Sequence, residues 1–132
     1  MTDNYKIEAE VLERSKKWIE DFNNKNIKGC VEAYTSDAVM NAKPLGTFKG
    51  ISEIEGFWRP FIETGAAELE YSNVVLAVEN ENTVLLTADW KMNIGRGIII
   101  QERWVKHSNG KWLLEYDDFE AVSNTHFQPH EP

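Results

Sequence analysis

Three carboxylates interrupt apolar and aromatic stretches in the second half of the chain. Asp89 stands in Thr87-Ala88-Asp89-Trp90-Lys91, Glu102 in Ile100-Gln101-Glu102-Arg103-Trp104, and Asp117 in Glu115-Tyr116-Asp117-Asp118-Phe119. A carboxylate on a solvated sheet face does nothing unusual. One turned into a closed cavity holds its proton more tightly and becomes a general acid or base. The chemistry open to this chain therefore depends on which strand faces these residues take.

Alternation along a strand gives a first answer for each. Asp89 shares a face with Leu85, Thr87, Lys91 and Asn93, opposite Val84, Leu86, Ala88, Trp90 and Met92. The more polar set favours a solvated or dimer-facing surface, with Lys91 as an exposed neighbour, over a place in the pocket. Glu102 shares its face with Ile98, Ile100 and Trp104, an apolar set that points inward. A buried Glu102 needs a proton or a partner, because an unpaired ionised carboxylate inside a protein costs several kcal/mol. A backbone amide or Trp18 would satisfy it in a purely structural role. In the last strand Asp117 alternates with Glu115 and Phe119, while Asp118 alternates with Trp112, Leu114 and Tyr116. One of the two faces inward, and alternation alone favours Asp118.

The elements that carry these residues follow from hydrophobic period. Ile7, Val11, Trp18 and Phe22, flanked by Leu12 and Ile19, form a helical stripe predicted over Asp3 to Asn24. Asn26 is placed to cap a short second helix bearing Ile27, Cys30, Val31 and Tyr34. Ala38 to Ala42 reads as a short strand, and Pro44 and Gly46 as a loop leading to Phe48. A third helix is expected to open at Ser52, with Ser52 and Glu55 as a capping box, and to kink or end near Trp58 because of Pro60. From Leu69 the period becomes two. Strands are expected over Leu69–Val78, Thr83–Asn93, Ile98–Lys106 and Trp112–Glu120, with a turn at Gly95-Arg96-Gly97 and a hairpin loop at His107 to Gly110. Helices followed by a meander predict an α+β domain with the helices on one sheet face.

Composition narrows the partners. At 132 residues the chain is one domain, expected over 1–122, followed by a polar tail over 123–132 that is either loose or an arm crossing to a partner. A net charge of −8 disfavours the backbone of a nucleic acid and an anionic membrane surface. Cys30 is the only cysteine, so neither an internal disulfide nor a thiolate metal cluster is expected. His107, His126 and His130 lack metal-ligand spacing, and phosphate loops and Ser/His/Asp orders are missing, so no metal and no cofactor are expected. The N-terminus has no signal-peptide pattern and no apolar run reaches membrane-spanning length, which makes cytoplasmic residence the expectation. Five Trp, with Tyr34 and Phe61, are a further clue. Trp18, Tyr34, Trp58, Phe61, Trp90 and Trp104 either line a ligand cavity or simply fill a core.

Four stretches in order carry a resemblance: Trp18-Ile19-Glu20-Asp21-Phe22-Asn23, Tyr34-Thr35-Ser36-Asp37-Ala38-Val39, Gly46-Thr47-Phe48-Lys49-Gly50-Ile51 and Asn109-Gly110-Lys111-Trp112-Leu113-Leu114. The chain thereby resembles the nuclear-transport-factor-2-like superfamily, in particular its SnoaL-like and ketosteroid-isomerase-like branch, from about Ile7 to Phe119. The resemblance implies a cystatin-like cone, a curved antiparallel sheet wrapped around the N-terminal helices, and a homodimer through the outer sheet face. It implies no single function, because the fold carries isomerases, cyclases, epoxide hydrolases, dehydratases and binding modules.

Position by position, the resemblance to the steroid isomerases puts Trp18 where those enzymes have an acidic Tyr and Ala42 where they have the proton-shuttling Asp. Only their late-strand acid has a counterpart, Glu102. The resemblance to limonene epoxide hydrolases aligns Asp89 and Asp117 with their water-activating pair, and Tyr116-Asp117-Asp118-Phe119-Glu120 with their final strand. Their Arg is replaced by Thr87 or Ala88. The expectation is a pocket for a small apolar molecule, lined by Trp18, Tyr34, Trp58, Phe61 and Trp104. Glu102, Asp117 and Asp89 are the candidate acids and bases of a lyase, isomerase or hydrolase. A non-catalytic dimeric binding or scaffold module is the alternative.

Overall fold

A computed structural model describes residues 4–124, and side chains within them as far as 122. Helix α1 spans Asn4–Asn23 and buries Ile7, Val11, Trp18 and Phe22, as its 3.6-residue stripe requires. Helix α2, Ile27–Glu32, is capped by the Asn26 side chain, which accepts from the Gly29 N–H at 3.1 Å. Strand β1 then runs Tyr34–Lys43 and β2 Gly46–Lys49, followed by α3 over Gly50–Glu63. Strands β3 (Glu70–Asn80), β4 (Thr83–Met92), β5 (Gly95–Lys106) and β6 (Trp112–Asn124) complete one sheet in the order β2-β1-β6-β5-β4-β3. Every pair is antiparallel except β1 with β6. The three helices cover one face, and the buried side chains of both layers form a single core. The fold is α+β, a curved open sheet wrapped over N-terminal helices.

Several elements depart from the reading by period. Tyr34 opens β1 instead of closing the second helix, and Gly46–Lys49 pairs with β1 as a strand instead of forming a loop. The third helix begins at Gly50, not Ser52; the Ser52 hydroxyl makes no cap, and Glu53 instead accepts the Lys49 N–H at 2.8 Å. It also continues through Pro60 to Glu63 instead of ending near Trp58, and the missing side chain of Gly56 is not the reason, since a Cβ there would meet no atom within 4 Å. The turn expected at Gly95 to Gly97 lies earlier, between Met92 and Gly95, which puts Gly97 inside β5. A Cβ at Gly97 would fall 1.9 Å from the Glu120 carbonyl and 2.7 Å from the Trp90 ring, so this position requires glycine for close approach. Strand β6 reaches Asn124 and takes in the first two residues of the expected tail; residues 125–132, with His126 and His130, lie outside the described residues.

Two bulges set the phase of the central strands. Ile99 pairs with Phe119 but Gln101 with Asp118, leaving Ile100 as an extra residue on β5. Arg103 pairs with Tyr116 but Trp104 with Leu114, leaving Glu115 as an extra residue on β6. Each bulge reverses which face the following residues take. On β5 the inward set becomes Ile99, Glu102 and Trp104, while Ile98 and Ile100 are exposed. On β6 the inward set changes from Trp112 and Leu114 to Asp117.

Candidate functional site

Between the helices and the inner sheet face lies a cavity in which the centre of a water molecule can move over about 40 Å³. Trp18 and Phe22 of α1, Trp58 and Phe61 of α3, Trp90 of β4 and Trp104 of β5 make most of its wall. Glu102 and Asp117 are the carboxylates that reach it. They stand directly opposite each other on β5 and β6, and both are buried. The wall contains neither Lys nor Arg, so no cation offsets their burial.

Each carboxylate is held by hydroxyl or indole donors. Glu102 Oε2 accepts from the Tyr71 hydroxyl at 2.6 Å, and Oε1 from the Trp104 indole at 2.9 Å. The Arg14 guanidinium lies over the Trp104 ring, 5.8 Å from its centroid, adding a cation–π contact to the residue that holds Glu102. Asp117 Oδ2 accepts from the Tyr34 hydroxyl at 2.7 Å, and that hydroxyl accepts from the Trp58 indole at 3.1 Å. Asp117 Oδ1 has no partner in the protein.

These environments separate the two acids. Burial pushes Glu102 up to about 6, against the two donors that favour its charged form. Burial, and then the neighbouring charge of Glu102, push Asp117 well above the usual carboxylate range, against the Tyr34 bond. Both acids therefore hold their protons more tightly than free carboxylates do, Asp117 more strongly than Glu102. Burial, then the charge of Asp117, push the Tyr34 hydroxyl upward; burial, then the charge of Glu102, do the same to Tyr71. Both tyrosines remain neutral donors.

The residues expected from the sequence meet only in part. Glu102, Asp117, Trp18, Trp58, Phe61 and Trp104 all line the cavity. Tyr34 stands behind Asp117 as its support, and it does so from β1. Trp18 presents its ring alone, since its N–H is bound to the Cys30 carbonyl at 3.0 Å. Asp89 does not belong to this group. It is exposed on the outer face, where Asn73 donates to it at 2.6 Å, because inward Ala88 and Trp90 force the residue between them outward. Asp118 also turns outward, to the Tyr116 hydroxyl at 3.1 Å and Lys43 Nζ at 3.4 Å. Tyr71 was missed by the sequence reading. Its signal was the shared strand face of Leu69 and Tyr71, both of which line the cavity.

The match to a family model settles the kinship. Residues 16–112 match the SnoaL-like domain. The chain belongs to the SnoaL-like family. No curated protein matches this SnoaL-like chain. Among solved structures, a candidate scytalone dehydratase from Novosphingobium aromaticivorans superposes with a TM-score of 0.82 at 12% identity, covering 96% of this chain and 91% of the other. A nuclear-transport-factor-2-like protein of unknown function from Pseudomonas putida gives 0.75 at 15% identity, covering 94% and 95%. A candidate ketosteroid isomerase from Parabacteroides distasonis gives 0.68 at 14%, covering 85% of each chain. At these identities the likeness is one of fold. Among the described residues no helix is long and apolar enough to cross a membrane, and no cluster of His, Cys, Asp and Glu could hold a metal ion.

Proposed function

We propose that this SnoaL-like chain is an acid/base catalyst, a dehydratase or isomerase, acting on a small and largely apolar substrate. The observation that carries the reading is the facing carboxylate pair in a cavity of aromatic walls: Asp117, with Oδ1 unpartnered and its proton held tightly, opposite Glu102, which is pushed up only to about 6. Asp117 donates its proton to a substrate oxygen, while Glu102 takes a proton from the adjacent carbon. In a dehydration the C–H proton goes to Glu102, the C–O bond breaks, and the hydroxyl leaves as water with the proton of Asp117. In an isomerisation Asp117 hydrogen-bonds the developing enolate oxygen, and Glu102 returns the proton to a different carbon. Side chains supply every proton, so the reading calls for no cofactor.

Cavity size limits the substrate. Extending the 40 Å³ region by the radius of a water molecule gives on the order of 200 Å³ of ligand space. That is room for one or two fused rings.

A second reading has its own support. Both oxygens of Glu102 are already bound by donors, as in a structural carboxylate within a binding or scaffold module. Proton exchange separates the two readings. Small enolisable ketones and 3-hydroxyketones would be incubated with the protein in D₂O and followed by NMR. Enzyme-dependent α-deuteration or loss of water, rising with pH through about 6 as Glu102 ionises and abolished in Glu102→Gln, is expected. Absence of both reactions across the panel would leave the module.

As for partners, the outer face of the sheet exposes Ile98, Ile100 and Val122 on the neighbouring strands β5 and β6. We infer that a second copy packs on this face. Sedimentation of Ile98→Lys/Ile100→Lys as a monomer beside a dimeric wild type is the expected result.

A further inference from the structure

Arg14 lies outside the cavity, in a surface groove that α1 shares with α2 and the hairpin of β5 and β6. Its acidic neighbours there are committed elsewhere. Asp21 pairs with Lys17, and Glu10 pairs with Lys106 and accepts from the Trp112 indole at 2.8 Å. Among the described residues no carboxylate comes within ion-pair distance of the Arg14 guanidinium. Burial pulls that guanidinium below its ordinary value, against the charge of Asp21. It stays charged all the same, so a partly desolvated cation is set against a ring and not against an acid. The ring is Trp104, with its centroid 5.8 Å away.

Trp104 belongs to both environments. It is 1% exposed, it lines the cavity, and its N–H donates to Glu102 Oε1 at 2.9 Å. A cation over the face of an indole is held by the electrons of the ring and draws them toward itself. Polar groups in a low-dielectric interior polarise one another. The N–H at the ring edge thereby becomes a better donor to an anion. The effect reaches Glu102 without a cation in the cavity wall, where Lys and Arg are missing. It adds to the bond from the Tyr71 hydroxyl and opposes burial.

We propose that Arg14 is a positioning residue for this site: acting through the Trp104 ring, it strengthens the indole bond to Glu102 and favours the carboxylate that accepts a substrate proton. This deepens the acid/base reading and rests on it for the role of Glu102. The competing account is that the Arg14 stem merely covers the ring and its charge does nothing. Charge and cover can be separated, because methionine keeps an unbranched stem and lysine keeps the cation. Both are good helix formers at this half-buried position.

The titratable groups facing Glu102 are Tyr71 on β3, Asp117 on β6 and Tyr34 on β1. Around Arg14 stand Glu10, Lys17 and Asp21 on its own helix, Cys30 and Glu32 on α2, Lys106 on β5 and Lys111 in the hairpin loop. All of these remain in an Arg14 variant, so a displaced Glu102 titration reports the loss of Arg14.

The test follows the Glu102 carboxyl by ¹³C NMR across pH in the full chain, its signal assigned by its loss in Glu102→Gln. Wild type should titrate at about 6. Arg14→Met should raise that midpoint by roughly half a unit, about a threefold change in the ionisation constant. Arg14→Lys should raise it by less than half as much. Arg14→Gln, a second neutral substitution, should match Arg14→Met and serves where methionine disturbs the fold. Above the midpoint, the indole N–H resonance that follows the Glu102 titration should lie upfield of its wild-type position in Arg14→Met, the sign of a weaker bond. An unmoved midpoint in the neutral variants, equal shifts in Arg14→Met and Arg14→Lys, or an indole resonance that stays in place would each overturn the proposal. Failure of the acid/base reading looks different: the Glu102 midpoint shifts as expected, yet wild type neither deuterates the enolisable ketones nor dehydrates the 3-hydroxyketones.

Discussion

Asp117 and Asp118 are chain neighbours with opposite surroundings. Both are buried, at 4% and 7% exposure. Asp118 faces the outer side of the sheet, where Lys43 and Tyr116 approach it. Asp117 faces the cavity, where its partners are neutral and the nearest charge is another carboxylate. Burial alone therefore does not make a catalytic acid. Aromatic walls and a like charge make Asp117 hold its proton tightly, and Asp118 has a lysine and a hydroxyl in their place. The inner face strains the charge of its acids; the outer face sets a lysine beside its own.

The sharpest way to test this contrast is to neutralise each acid in turn. Asp117→Asn and Glu102→Gln should each lower the turnover or exchange rate by about 10²- to 10⁴-fold, the usual worth of a positioned acid or base. Asp118→Asn should change it by less than about threefold. Comparable losses in all three variants, measured as kcat/KM, would erase the distinction between the faces.

A smaller effect should follow Tyr34→Phe. It strips Asp117 Oδ2 and the Trp58 N–H of their partner at once, costing about 1–3 kcal/mol in urea unfolding. It should also move the basic limb of the pH–rate profile further upward, because the Tyr34 bond is what holds Asp117 down.

The strained inner pair should also shape stability against pH. A carboxyl whose folded pKa is raised binds more protons in the folded state, so its contribution is present below its unfolded value of 4.5 and is lost as pH rises through about 6. For Glu102 that loss is about 2 kcal/mol, and Asp117 extends it to higher pH. Urea midpoints should accordingly fall between pH 4.5 and 7 in the wild type, and fall less in Glu102→Gln. A flat wild-type profile would show that neither acid is strained.

The smallest effect belongs to the outer face. Lys43 is half exposed where it meets Asp118, so Lys43→Met should cost under about 1 kcal/mol and leave the pH–rate profile unchanged.

Much of the framework was legible in local pattern. The stripe of α1, the Asn26 cap, the change of period after Leu69 and the hairpin at His107 each depend on a few neighbouring residues, and each appears where the pattern placed it. The site was legible as a list of residue types more than as an arrangement. Alternation turns Glu102 inward with Ile98, Ile100 and Trp104; Trp104 does share its face, yet both isoleucines are exposed. The bulge at Ile100 turns the strand over between them and Glu102. Alternation likewise favoured Asp118, and the bulge at Glu115 gave the inward place to Asp117.

The sequence by itself determined the elements, the apolar stock of the core and the presence of surplus carboxylates in late strands, since helical stripes and strand alternation are local properties of the chain. Only the tertiary structure decided which carboxylates meet. A bulge is a mismatch between two strands, so its position depends on how one strand registers on another. The pairing of Glu102 with Asp117 and the arrival of Tyr71 and Tyr34 as their donors depend on that register, which no single segment encodes.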